Sequence, residues 1–273
     1  MEKIKDFFKE IYHVLRLPEM LILPGNLAFF LFLSLIPSIT LIGVITSLFS
    51  LSTDTLINFL NINLPSGVSD ILLPFVNATS LNASTIFLIV LGFYLSSNGS
   101  DSLIIASNIL YKVRNENYIF RRIKALFMSF WLILLIIFIL IFLAFGNFIL
   151  SWLVNFSSIF NFIVDNYYVI MILKYFIAFI FILFVIKILY TMAPNINIKS
   201  KSVNKGAIFS TITIMFVTSL YSFYVANIAH YDIMYGSLAN LAVLIFLIYL
   251  ISYILVIGIA INHNYYLINV KDK

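Results

Sequence analysis

WLILLIIFILIFL, residues Trp131 to Leu143, is a run of apolar side chains with no charge and no turn former. It lies inside 40 uncharged residues between Lys124 and Asp165. About 20 apolar residues cross the hydrocarbon core of a bilayer, and a charge at its centre is costly. The run therefore reads as a transmembrane helix. Working outward, Glu19 to Asp54 encloses 34 uncharged residues, Asp70 to Asp101 encloses 30, Lys205 to Asp232 encloses 26 and Asp232 to Lys271 encloses 38. Tyr167–Ala193 is apolar apart from Lys174 and Lys187. These stretches predict an all-α polytopic bundle of six transmembrane helices, near residues 27–50, 85–110, 126–154, 168–193, 206–229 and 237–262.

Composition agrees. Of 273 residues, 63% are hydrophobic and 10% charged, against about 45–50% and about 25% in soluble domains. Mean hydropathy is +1.09. Too little polar surface exists to cover a water-soluble globule, which argues against a soluble enzyme, a disordered chain and a nucleic-acid-binding domain. With no cysteine, disulfides, thiolate metal sites and cysteine nucleophiles are excluded.

The net charge of +5 has a topological explanation. Four basic residues precede the first span (Lys3, Lys5, Lys9, Arg16) and five lie between the second and third (Lys112, Arg114, Arg121, Arg122, Lys124). Three more lie between the fourth and fifth (Lys199, Lys201, Lys205) and two in the tail (Lys271, Lys273). The alternate loops hold none and carry Asp54, Asp70, Asp165 and Asp232 instead. The positive-inside rule then places both termini in the cytoplasm. Residues 1–17 pattern as an amphipathic helix, with Ile4, Phe7, Phe8, Ile11, Val14 and Leu15 on one face and charged residues on the other. It is expected either on the cytoplasmic leaflet or against the protein's own loops. Pro18, Pro24 and Gly25 are expected to separate it from the membrane domain, residues 18–265, and residues 266–273 form a tail. The outer loop, about 51–85, alternates apolar and polar residues and is expected to form short amphipathic helices at the outer leaflet.

Few residues offer chemistry. His13, His230 and His263 fall on different membrane sides and cannot converge on one metal, and no HExxH, GxSxG, Walker A or GxGxxG pattern occurs. No metal and no cofactor are expected. Ionisable residues inside spans are costly and usually meet a partner or a wet cavity. Asp101 lies ten residues before Tyr111, about 15 Å into its helix, and Lys187 lies at a similar depth. They either pair across the bundle or are satisfied separately, Asp101 by hydroxyls and Lys187 by snorkelling. Ser97, Asp101 and Asn108 share a face of the second span, and Thr211, Thr218 and Ser222 share one of the fifth. Such stripes either line a polar path or pack helices. Arg121, Arg122 and Lys124 directly precede the third span, where they satisfy topology and offer contacts to an anionic lipid headgroup. Pro37, with Gly43 beyond it, is expected to kink the first span.

Several short motifs occur in a particular order. They are Leu33–Ser34–Leu35–Ile36–Pro37, Ser97–Asn98–Gly99, Ala106–Ser107–Asn108–Ile109–Leu110–Tyr111, and Phe120–Arg121–Arg122 with Ala125–Leu126. Leu189–Tyr190 precedes Ala193–Pro194–Asn195, and Tyr235–Gly236–Ser237–Leu238 leads into a last helix closed by Gly258 and Asn262. Over about residues 20–265 the chain resembles the YihY/BrkB family of bacterial inner-membrane proteins, formerly labelled ribonuclease BN. Two departures stand out. Ala28–Phe29–Phe30 occupies a place where tyrosine is common in the family, and Ile259–Ala260 follows Gly258 where the family often has Gly–Ala–Glu. The resemblance implies a six-span protein of the bacterial cytoplasmic membrane with membrane lipids as partners, and no nucleic acid. The expected function is a non-enzymatic transporter or flippase-like activity on a lipid or other amphipathic, anionic substrate. The alternative is a structural or assembly factor.

Overall fold

The computed structural model describes residues 12, 16, 18–48, 53–63, 72–76, 82–114, 117–154, 167–227 and 237–271. Eight helices organise them: α1 (Glu19–Leu33), α2 (Leu35–Leu48), α3 (Thr53–Asn63), α4 (Ala83–Tyr111), α5 (Tyr118–Val154), α6 (Tyr167–Met192), α7 (Asn204–Asn227) and α8 (Ser237–Lys271). A 3-10 turn, Ser200–Val203, leads into α7. The expected N-terminal amphipathic helix lies outside the described residues, except Tyr12 and Arg16, whose guanidinium donates to the Tyr12 hydroxyl and covers its ring.

Five stretches are long and apolar enough to cross a membrane among the described residues: Met20–Val44, Ala83–Tyr111, Tyr175–Met192, Ser200–Tyr221 and Leu241–His263. The expected third span falls within the 37-residue helix α5, where side chains beyond Phe138 lie outside the described residues. The chain is an all-α, multi-pass membrane protein. α1 and α2 pack on α4, α4 on α5, α5 on α6, α6 on α7, α7 on α8, and α8 returns to α1. α8 also touches α4. Chain neighbours are thus spatial neighbours, and the first and last helices close the circuit.

Side-chain distribution explains why this packing suits lipid. On α7, Ile208, Ile212, Phe216, Leu220 and Phe223 face outward at steps of three and four, while Ala207, Ser210 and Thr211 are buried. On α4, Ile86, Phe87, Val90 and Tyr94 are exposed, while Ser96, Ser97, Gly99, Ser100, Ser107 and Asn108 are inside. Large apolar groups outside and small polar ones inside reverse the pattern of a water-soluble helix. Small residues let backbones approach, which drives helix association where no hydrophobic effect operates. The Pro37 ring sits where a Cβ on Gly92 would be, and Phe30 covers Gly99.

The first span differs from expectation at two points. Pro24 and Gly25 lie inside α1, which begins at Glu19. Pro24 removes only one hydrogen bond there, close to the helix start, so the helix continues through it. The expected interruption falls at Ser34, three residues before Pro37. Pro37 has no N–H for the carbonyl of Leu33, and its ring crowds that carbonyl. Ser34 Oγ donates to the Leu31 carbonyl at 2.6 Å and Ser38 Oγ to the Ser34 carbonyl at 2.7 Å, so side chains steady the joint.

In the segment after α2, α3 buries Leu60, and residues 72–76 form a helical turn that buries Leu72 and Val76. A Cβ on Gly43 would overlap the Val76 carbonyl oxygen. This segment therefore tucks against α2.

Candidate functional site

α4 is a 29-residue helix begun by the Asn82 side chain, which accepts from the Thr85 N–H at 2.8 Å. It stops where Lys112 turns left-handed (φ 56°), with Lys112 N–H bonded to Ile109 O and Val113 N–H to Asn108 O. That Schellman closure satisfies the last carbonyls. Instead of running straight back as a tight hairpin, the first turns of α5 lie beside the middle of α4. Arg121 Nε donates to Asp101 Oδ1 at 2.6 Å, and Arg122 Nη1 donates to Asn98 Oδ1 at 2.5 Å. Asp101 and Asn98 lie ten and thirteen residues from Tyr111, about 15 and 20 Å along the axis.

Two guanidinium groups and one carboxylate thus meet well inside a membrane-crossing helix, with a formal charge of +1 between them. The Arg121 and Asp101 side chains remain 19% and 16% exposed. Arg122 stacks over the Tyr94 ring at 4.5 Å, and Arg121 faces Tyr118 at 5.8 Å. Both tyrosines are exposed on the outer surface of the bundle. Pairing and stacking lower the cost of holding arginine there. The excess positive charge and the accessible edges suit an anionic head group whose apolar part stays in lipid.

A second cluster lies nearer the end of α4. Lys124 Nζ donates to the carbonyls of Ala193 and Pro194 at 3.0 and 3.1 Å and to Asn195 Oδ1 at 2.8 Å. Buried Asn108 accepts from the Asn195 N–H at 2.8 Å, and Asn195 Nδ2 reaches the Arg114 carbonyl at 3.4 Å. α6 ends at Met192, so the ammonium complements the negative end of its dipole. Arg121, Arg122 and Lys124, read from the sequence as headgroup contacts, all have partners within the protein.

The sequence also allowed an Asp101–Lys187 pair, and the structure does not form it: Arg121 holds the carboxylate. Lys187 is half-buried on α6 and makes no ion pair among the described residues. The reach of α5 along α4 decided this, and no spacing in the sequence encodes it. The hydroxyls of the two stripes bond to their own helices. Ser97 donates to Tyr94 O, Thr211 to Ala207 O, and Thr218 to Ile214 O and Met215 O. Ser222 is in α7, with its side chain outside the described residues.

One further network joins α6, α7 and α8. Buried Tyr190 bonds Ser210 Oγ at 2.7 Å and donates to the Leu255 carbonyl at 2.8 Å. Asn262 Oδ1 accepts from the Gly206 N–H at 2.7 Å. A Cβ on Gly258 would overlap Ser210 Oγ and the Tyr190 hydroxyl, and one on Gly206 would overlap the Gly258 carbonyl. Residue chemistry did not single this network out, although Tyr190, Gly258 and Asn262 stood among the family-like motifs. Among the described residues no three His, Cys, Asp or Glu gather as metal ligands.

The family model described as Virulence factor BrkB matches residues 18–271. The chain is 27% identical over 261 residues to the protein of Bacillus subtilis (strain 168) named "Putative ribonuclease-like protein YfkH", covering 94% of each. No solved structure matches it significantly.

Proposed function

We propose that this chain, which belongs to the Virulence factor BrkB family, moves an amphipathic anionic substrate, such as a phospholipid, across or within the membrane it spans. The observation that carries this reading is the Arg121–Asp101–Arg122 cluster, charged, partly exposed and far along α4. A negatively charged head group would exchange onto the guanidinium edges while its chains stay against the exposed apolar face of α4. The protein is a bacterial cytoplasmic-membrane transporter with both termini in the cytoplasm, on the lysine and arginine distribution. It acts without an enzymatic step. The ribonuclease-like wording belongs to the relative, and hydrolysis needs a positioned acid–base or metal group.

A structural or assembly role is the second reading. It is favoured by Ser97, Thr211 and Thr218, whose hydroxyls are taken up by their own helices.

Purified protein in liposomes with labelled neutral and anionic phospholipids separates the two. Transport requires leaflet exchange above that of empty liposomes, greater for the anionic label. It also requires a fall of about tenfold or more in folded Arg121→Gln/Arg122→Gln, as for lost charge-assisted hydrogen bonds, and little change in Lys187→Met. Absence of exchange of either label by folded wild type would overturn the lipid reading and leave the structural one.

A further inference from the structure

The ion pair in the arginine cluster uses only part of each partner. Arg121 meets Asp101 through one bond, Nε to Oδ1, and its two terminal nitrogens make no hydrogen bond among the described residues. Asp101 Oδ2 likewise has no donor among the described residues. Asn98 spends its Oδ1 on Arg122, and its Nδ2 makes no hydrogen bond among the described residues. None of these unpartnered atoms is sealed in the interior, and the neighbouring Tyr94 and Tyr118 are exposed on the outer surface of the bundle. Guanidinium and carboxylate frequently join by two parallel bonds. The single bond here leaves donors and a charged acceptor open side by side.

We infer that this half-used pair reads a head group in two parts: the terminal nitrogens of Arg121 hold the phosphate of a phosphodiester lipid, and Asp101 Oδ2 accepts a hydrogen bond from a hydroxyl or ammonium on the same head group. The inference rests on the transport reading for its ligand and adds which head groups that ligand carries. Charge and geometry lead to it. The planar guanidinium fork matches phosphate oxygens two at a time. A phosphate without a further donor, brought to that fork, faces the free carboxylate oxygen, and like charges at close range repel. A donor on the ligand turns the same oxygen into the acceptor of a charge-assisted hydrogen bond. A glycerol hydroxyl and an ethanolamine ammonium each stand two carbons beyond the phosphate ester oxygen. That places either within reach of a carboxylate whose other oxygen is bonded to the same guanidinium. A methyl or choline ester of the phosphate offers no such donor. Arg121 thus supplies affinity for the phosphate, and Asp101 supplies selectivity by favouring one ligand and opposing another.

Binding tests this without transport. Purified full-length protein in detergent is loaded with fluorescent phosphatidylglycerol, and unlabelled short-chain lipids displace it. Phosphatidylglycerol and phosphatidylmethanol carry the same charge and differ in the hydroxyls. Phosphatidylethanolamine and phosphatidylcholine also match in net charge and differ in the N–H donors. Wild type is expected to favour the donor-bearing member of at least one pair by about tenfold or more, as for a hydrogen bond to a charged group. Preference within the first pair identifies the hydroxyl as the ligand's donor, and preference within the second identifies the ammonium. Asp101→Asn should largely erase the ratio, whereas Arg121→Gln should weaken both members of a pair alike. If Asp101→Asn does not fold, the wild-type ratios alone decide. Equal displacement within both pairs by folded wild type overturns the inference, as does a ratio unchanged in folded Asp101→Asn. Failure of folded wild type to bind the labelled lipid saturably overturns it too. Selective displacement without leaflet exchange leaves the head-group site standing and removes the transport reading. Exchange that depends on Arg121, with equal displacement within both pairs, removes the head-group inference alone.

Discussion

At Gly258 a single hydrogen separates the backbone of α8 from the Tyr190 hydroxyl and Ser210 Oγ. Gly258→Ala should cost about 1–3 kcal/mol by overpacking, and Tyr190→Phe about 1–3 kcal/mol by stranding buried partners. Gly25 is the matched control, because nothing approaches the place of its Cβ. Gly25→Ala should be neutral or stabilising by up to about 1 kcal/mol through helix propensity. Thermal unfolding in detergent ranks the three, and a Gly258→Ala protein as stable as wild type would refute the tight crossing. The same reasoning applies to Asp101. Removing its charge leaves Arg121 unpaired in a partly buried place, so Asp101→Asn should destabilise by roughly 1–3 kcal/mol, below the range for fully buried pairs. Adding Arg121→Gln should recover part of that loss. No recovery in the double variant would mean that the two side chains are not coupled.

Single residues act through the helices that carry them, and the joint between α1 and α2 shows how. Pro37 withholds one donor from Leu33, and the helix breaks at Ser34 as a result. Pro37→Ala should restore continuity and slow hydrogen exchange of the amides around 34–38, while loosening the contact with Gly92. Exchange unchanged or faster at those amides would assign the break to packing and not to proline. The start of α5 shows the converse, an element whose placement changes the meaning of its residues. Arg121 and Arg122 follow a polar loop in the sequence and so read as cytoplasmic charges at a span boundary. Because α5 begins alongside the middle of α4, they become the partners of Asp101 and Asn98.

Across the whole molecule, each spanning helix meets its chain neighbour and the last returns to the first. A consecutive arrangement of this kind lets loop charge dictate orientation, since alternate loops fall on alternate sides. Accessible tags fused at the two ends should both face the cytoplasm, and both should be cleaved by protease in inverted membrane vesicles and neither in intact cells. Tags on opposite sides would refute the six-span reading.

The all-helical, membrane-spanning class was legible in the sequence, because burying charge in lipid costs so much that uncharged stretches mark the crossings and basic loops mark a side. The family was legible through ordered short motifs, and Asp101 and Asn108 stood out as polar groups in an apolar setting. Their partners were not legible. Which cation reaches Asp101, and that Lys124 and Asn108 converge on the same turn, depend on the crossing of α4, α5 and α6. Helix periodicity reports which face a residue occupies, whereas pairing depends on how neighbouring helices tilt and slide against each other. Only the packed bundle decides that.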